Sequence, residues 1–133
     1  MVAKVLRTLV VLGLLGSAWI HYELWQFQYF SQVDVIGPLF LVNAASGVVI
    51  AFAILAWRHW LPVLLAIGFG ALTMVAFVLS LRAGGFFGVQ EEFTPSSPNW
   101  LPELWAVVTE AGCVVFGIAL LSVEARSKQT VGV

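Results

Sequence analysis

The chain has 133 residues, 61% of them hydrophobic and only 10% charged, with a net charge of −1. A water-soluble domain of this length keeps much of its surface exposed, and too little polar material is present here to cover it. The charge balance excludes a basic nucleic-acid interface, and a single cysteine, Cys113, excludes an internal disulfide.

Four apolar segments follow in order, at about residues 5–25, 35–57, 61–81 and 102–123. A membrane span needs roughly 20 apolar residues. The second and third carry no charge, and the fourth is interrupted only by Glu103 and Glu110. The first has 13 residues between Arg7 and His21. It becomes long enough if Arg7 and Glu23 snorkel to opposite interfaces. Its basic start at Lys4 and Arg7 and the small residues Gly16-Ser17-Ala18 resemble a signal peptide. Trp19 and Ile20 continue the apolar run past that point, so a retained helix is expected. Spans isolated in lipid must satisfy their own backbone hydrogen bonds, which makes them helices. The expectation is one all-α domain over 1–133, an antiparallel bundle of four transmembrane helices.

Lys4, Arg7, Arg58, Arg126 and Lys128 fall on one side of such a bundle, and only Arg82 on the other. The positive-inside rule then places both termini in the cytoplasm of a multi-pass protein of the inner (plasma) membrane. The turn Arg58-His59-Trp60 is very short, so spans two and three should form an antiparallel hairpin, with Pro62 in the first turn of the third helix. His59 is read as an interfacial headgroup contact. The long outer loop, 82–101, opens with Gly84 and Gly85 and closes with Pro95 and Pro98. Phe86, Phe87 and Val89 are too apolar for a solvated loop and should fold back as a cap. Small residues four apart mark helix contacts: Gly47 and Ala51, Ala66 and Gly70, Cys113 and Gly117.

Few polar groups remain to be explained. Glu110 lies about 12 Å into the fourth helix at 1.5 Å per residue, where a charge is costly and usually faces inward with a partner. Glu103, seven residues earlier, shares its face. One reading is a cation or proton site open to the outer side. The other is a protonated carboxyl, or one paired with Arg82. His21 and Glu23 point about 200° apart on a helix, so His21 can face the bundle while Glu23 meets headgroups. His21, Arg82, Glu103 and Glu110 thus make a candidate polar pocket. His21 with Glu91 and Glu110 could hold a metal such as zinc, or iron in an open facial site, though no ligand spacing requires one. A b-type haem would lack its usual second histidine. Asn43 and Ser46 fit interhelical hydrogen bonds.

The stretches Ile20-His21-Tyr22-Glu23-Leu24-Trp25, Ile36-Gly37-Pro38-Leu39-Phe40-Leu41 and Gly85-Phe86-Phe87-Gly88-Val89-Gln90-Glu91 resemble the small four-helix membrane proteins of high-GC Gram-positive bacteria. The arrangement is similar in topology to the DoxX-like group. The Pro-Ser segment from Thr94 to Asn99 departs from that pattern. The resemblance implies a four-helix fold and an inner-membrane home, and it implies no activity.

No nucleophile–base–orienter set, phosphate loop or Cys-x-x-Cys occurs. The leading expectation is therefore a non-catalytic accessory or assembly partner of a larger membrane complex, with no cofactor. Its partners would be the lipid bilayer and other membrane proteins or further copies of itself, with no nucleic acid. The first alternative is a redox component that binds a metal ion or quinone in an outer pocket of His21, Glu110 and the Phe86-Phe87 cap. The second is a small oligomeric transporter or channel that uses Glu110.

Overall fold

A computed structural model describes residues 1–131 of the chain. The side chain of Lys128, counted above with the cytoplasmic basic residues, lies outside the described part. Four long helices appear: α1 (Val2–Phe27), α2 (Ile36–Ala56), α3 (Trp60–Ser80) and α4 (Trp100–Val131), with a single 3-10 turn at Phe30–Gln32. All four are long and apolar enough to cross a membrane. This is the architecture of a multi-pass membrane protein. Apolar side chains cover the outside of the bundle as well as its core: Phe52 and Leu72 are 71% and 73% exposed, while Val10 and Leu14 are buried together with the polar Ser17, His21, Glu103 and Glu110. Lipid is the solvent that makes such a distribution favourable.

The helix limits have local causes. His59 is the N-cap of α3: its Nδ1 accepts a hydrogen bond from the Leu61 N–H at 3.2 Å. The His59 ring also stacks on Trp57, with centroids 4.7 Å apart. This histidine, read from the sequence as a headgroup contact, therefore shapes the turn. α4 runs past residue 123 because Glu124, Ala125 and Arg126 are good helix formers and no breaker intervenes. α3 ends at a loop in which Gly84 and Gly85 take positive φ. At Gly85 a Cβ would lie 2.2 Å from the Val89 carbonyl oxygen, so the turn requires glycine there. Phe86 and Val89 exchange backbone hydrogen bonds of 2.8 and 3.0 Å across Phe87 and Gly88, both at positive φ. The Glu91 N–H then donates to the Ser80 carbonyl and ties the loop back to α3. Phe86 and Val89 pack on Ile20, Leu24, Phe30 and Ile36, whereas Phe87 stays exposed.

Small residues decide which helices touch. On α1 the buried positions Val10, Leu14, Ser17, Ala18, His21 and Leu24 recur every three or four residues and form one face. Against that face, a Cβ on Gly47 would lie 3.0 Å from the Leu14 carbonyl, and one on Gly13 would lie 2.9 Å from the Thr109 carbonyl. α1 is thereby pressed between α2 and α4. α3 meets α4 where a Cβ on Gly70 would lie 2.5 Å from the Glu110 carbonyl and one on Gly117 2.6 Å from Ile67. Ala51, Ala66 and Cys113 are buried in the same core as Val10 and Leu14.

At one end Arg7 holds three helices together. Its guanidinium donates to the Ile54 carbonyl of α2 at 2.9 Å and forms a salt bridge with Glu124 of α4. Arg7 does not snorkel outward as expected, because both partners lie inside the bundle's edge. We call this the basic end, and the end that carries Glu23, Glu91 and Glu103 the acidic end.

Candidate functional site

α2 and α3 are consecutive and antiparallel, yet their contact is much thinner than those of α1 with α2 and α4, or of α3 with α4. Gly47 of α2 faces α1, and Gly70 of α3 faces α4. Between them opens a cleft of about 570 Å³, within the range of small-molecule sites. Its walls are mostly apolar. Gly68 lines it, and a Cβ built there would meet nothing within 4 Å. Leu39, Val42, Leu64 and Leu72 line it and are also exposed on the bundle surface, so the cleft opens sideways toward lipid. One strut crosses it: Asn43 Nδ2 donates to Thr73 Oγ1 at 3.2 Å. Thr73 in turn donates to the Phe69 carbonyl.

The deep wall carries the polar groups. Ser17 and His21 lie one turn apart on α1, and Glu110 faces them from α4. His21 Nδ1 lies 2.9 Å from the Ser17 carbonyl oxygen. A carbonyl can only accept, so Nδ1 carries the proton and donates it. Ser17 Oγ donates to Glu110 Oε1 at 3.2 Å. His21 Nε2 is 3.8 Å from that same oxygen, too far for a hydrogen bond. The imidazole also stands edge-on to Phe40, with centroids 5.1 Å apart. His21 and Glu110 are 5% and 1% exposed, and both line the cleft. In the neutral imidazole fixed this way, Nε2 offers a lone pair. The deep wall therefore presents acceptors.

Glu103 sits a full two turns nearer the acidic end of α4. It is 6% exposed, and neither of its carboxylate oxygens has a hydrogen-bond partner. Its charged neighbour is Glu91, delivered by the loop that folds back on α3. Both glutamates line the cleft at its acidic end.

Of the sequence candidates, His21, Glu103 and Glu110 come to one cleft together with Glu91. Arg82 is exposed and does not line it; Glu110 is met by Ser17 and His21 instead. Glu91 lies with Glu103, and among the described residues no three histidine, cysteine or acidic side chains come together to hold a metal ion. Glu23 is exposed, on the other side of α1 from His21. Ser17 was missed as a site residue, although a signal existed. Gly13 and Ser17 are four apart, the same small-residue spacing used on the other helices, and that face of α1 is the one that receives Glu110. No protein-family model, curated protein or solved structure matches this chain.

Proposed function

We propose that this small integral membrane protein binds an elongated lipid-borne amphipath, which reaches the cleft from the bilayer between α2 and α3. One observation carries this reading: a laterally open apolar cleft whose deep wall holds a buried, mutually oriented Ser17–His21–Glu110 group. A bundle that needed only to be stable would close α2 on α3, since lipid offers no gain from leaving a gap unfilled. Buried acids in a span are costly and serve function by default. The accessory role expected from the sequence fits within this proposal, with the guest as what the protein holds for a larger membrane complex. The quinone class fits as well, because quinol hydroxyls would donate to His21 Nε2 and to the Glu110 carboxyl. The sidedness proposed from the basic residues puts the acidic end, and with it Glu91 and Glu103, outside the cytoplasm.

The test is extraction. Full-length protein purified in mild detergent should carry one lipid-soluble molecule enriched over bulk lipid, detected by mass spectrometry. Gly68→Trp, which fills the cleft where space is open, should lose that molecule while keeping its unfolding midpoint. Equal small-molecule content in the two proteins would remove the proposal.

A further inference from the structure

The cleft has a one-sided polar lining. Among the described residues its ionisable groups are Glu91, Glu103, Glu110 and His21, and no lysine or arginine lines it. Arg82, the one basic residue in the segments that join the helices at this end, points elsewhere and is exposed. Of the cleft's neutral polar groups, Thr73 is engaged with Phe69 and Asn43, and Ser80 with the Phe77 carbonyl, while the Asn43 side-chain carbonyl oxygen is buried without a partner.

Glu103 is the ionisable group this lining leaves unmet. Both of its oxygens are buried without a donor, and the nearest charged side chain, Glu91, is another acid. Two carboxyls held together in a low-dielectric site either share one proton or take up N–H donors and positive charge. Among the described residues no basic side chain lines the cleft to supply that charge. Phe77 and Phe86 also line the cleft, aromatic rings whose faces attract cations. Between Glu103 and the wall of His21 and Glu110 the lining is mostly apolar. A hydrated metal ion would gain nothing from those walls. A molecule with a compact cationic head and an apolar body would use both parts.

Resting on the reading that the cleft takes a lipid-borne guest, we propose that this guest is a lipophilic amine, its ammonium head held by Glu103 and Glu91 and its apolar body lying between α2 and α3. Glu110 and His21 then form the far polar wall that the body approaches. The carboxylates select the head by charge, and the apolar walls select the body by burial.

The experiment uses the full-length protein in neutral detergent, immobilised, with tritiated dodecylamine as the probe and retention read by scintillation proximity. Unlabelled dodecylamine should displace the label at about tenfold lower concentration than dodecanol of equal chain length, and dodecyl sulfate should compete more weakly still. Glu103→Gln should weaken retention about tenfold, because it keeps the shape and removes the charge. Glu91→Gln, at the better-solvated rim, should weaken it severalfold and guards against a folding defect in the first variant. Ser96→Ala, in the exposed part of the loop, should change nothing. If amine and alcohol compete equally and both glutamine variants bind like the parent, the ammonium head is refuted while the cleft remains a site. If neither amine nor alcohol shows saturable retention, and Gly68→Trp matches the parent throughout, both the head and the cleft as a site are refuted.

Discussion

Replacing Gly70 with alanine puts a methyl group where α3 meets the backbone of α4. The new Cβ would lie 2.5 Å from the Glu110 carbonyl oxygen, 3.1 Å from Cys113 Cβ and 3.2 Å from Val114 Cγ2. A relaxed carbon–oxygen contact is about 3.3 Å, so α3 and α4 must part by about 0.8 Å. The obstacle is helical backbone, which cannot rotate away as a side chain could. Overpacking of this kind costs about 1–3 kcal/mol, against a helix-propensity gain of up to about 1 kcal/mol for alanine over glycine. Two residues away, Gly68 faces the cleft, and its Cβ would meet nothing within 4 Å. Gly68→Ala should therefore show only the propensity gain, leaving the two variants about 2 kcal/mol apart. The assay is unfolding in mixed micelles of mild detergent and increasing dodecyl sulfate, followed by tryptophan fluorescence. A Gly70→Ala protein as stable as Gly68→Ala would show that α3 and α4 do not pack through this glycine, and the placement of Glu110 would fall with it.

Arg7→Met should lower stability by about 1–3 kcal/mol, because the Ile54 carbonyl and Glu124 lose their shared donor; adding Glu124→Gln should recover part of the loss, and strict additivity in that double-mutant cycle would refute the bridge. Asn43→Leu should change stability by less than about 1 kcal/mol, since it removes a single interhelical bond together with a buried carbonyl oxygen that has no partner. A loss above about 3 kcal/mol in the same unfolding assay would mean the strut does more than that one bond allows. In a Cys113→Ala background, Ser96→Cys should react with an impermeant maleimide added to intact cells; protection until the cells are lysed would reverse the proposed sidedness.

Much of the architecture was legible from residue order. Hydropathy places the four helices to within a few residues at most ends, because lipid makes a strict demand on length and polarity. The larger error is at the far end of α4, where helix propensity carries the chain past the apolar run. Gly47, Gly70 and Gly117 each lie where a neighbouring helix comes within contact distance, since only small side chains let backbones approach. Glu110 could be assigned to the interior for the same energetic reason that it is rare.

What the order of residues could not give is which helix each inward face meets. Chain connectivity pairs α2 with α3 through a three-residue turn, and from sequence that reads as a packed hairpin. The observed gap depends on the rotation of both helices, which turns Gly47 and Ala51 toward α1 and Ala66 and Gly70 toward the core and α4. Glu110 met Ser17 and His21 for the same reason: α1 and α4 are far apart in the chain and neighbours in the bundle. Composition and periodicity thus determined the medium, the helices and the inward faces, which are properties of single segments. The cleft and its acidic lining came from how those faces meet, and only tertiary packing decides that.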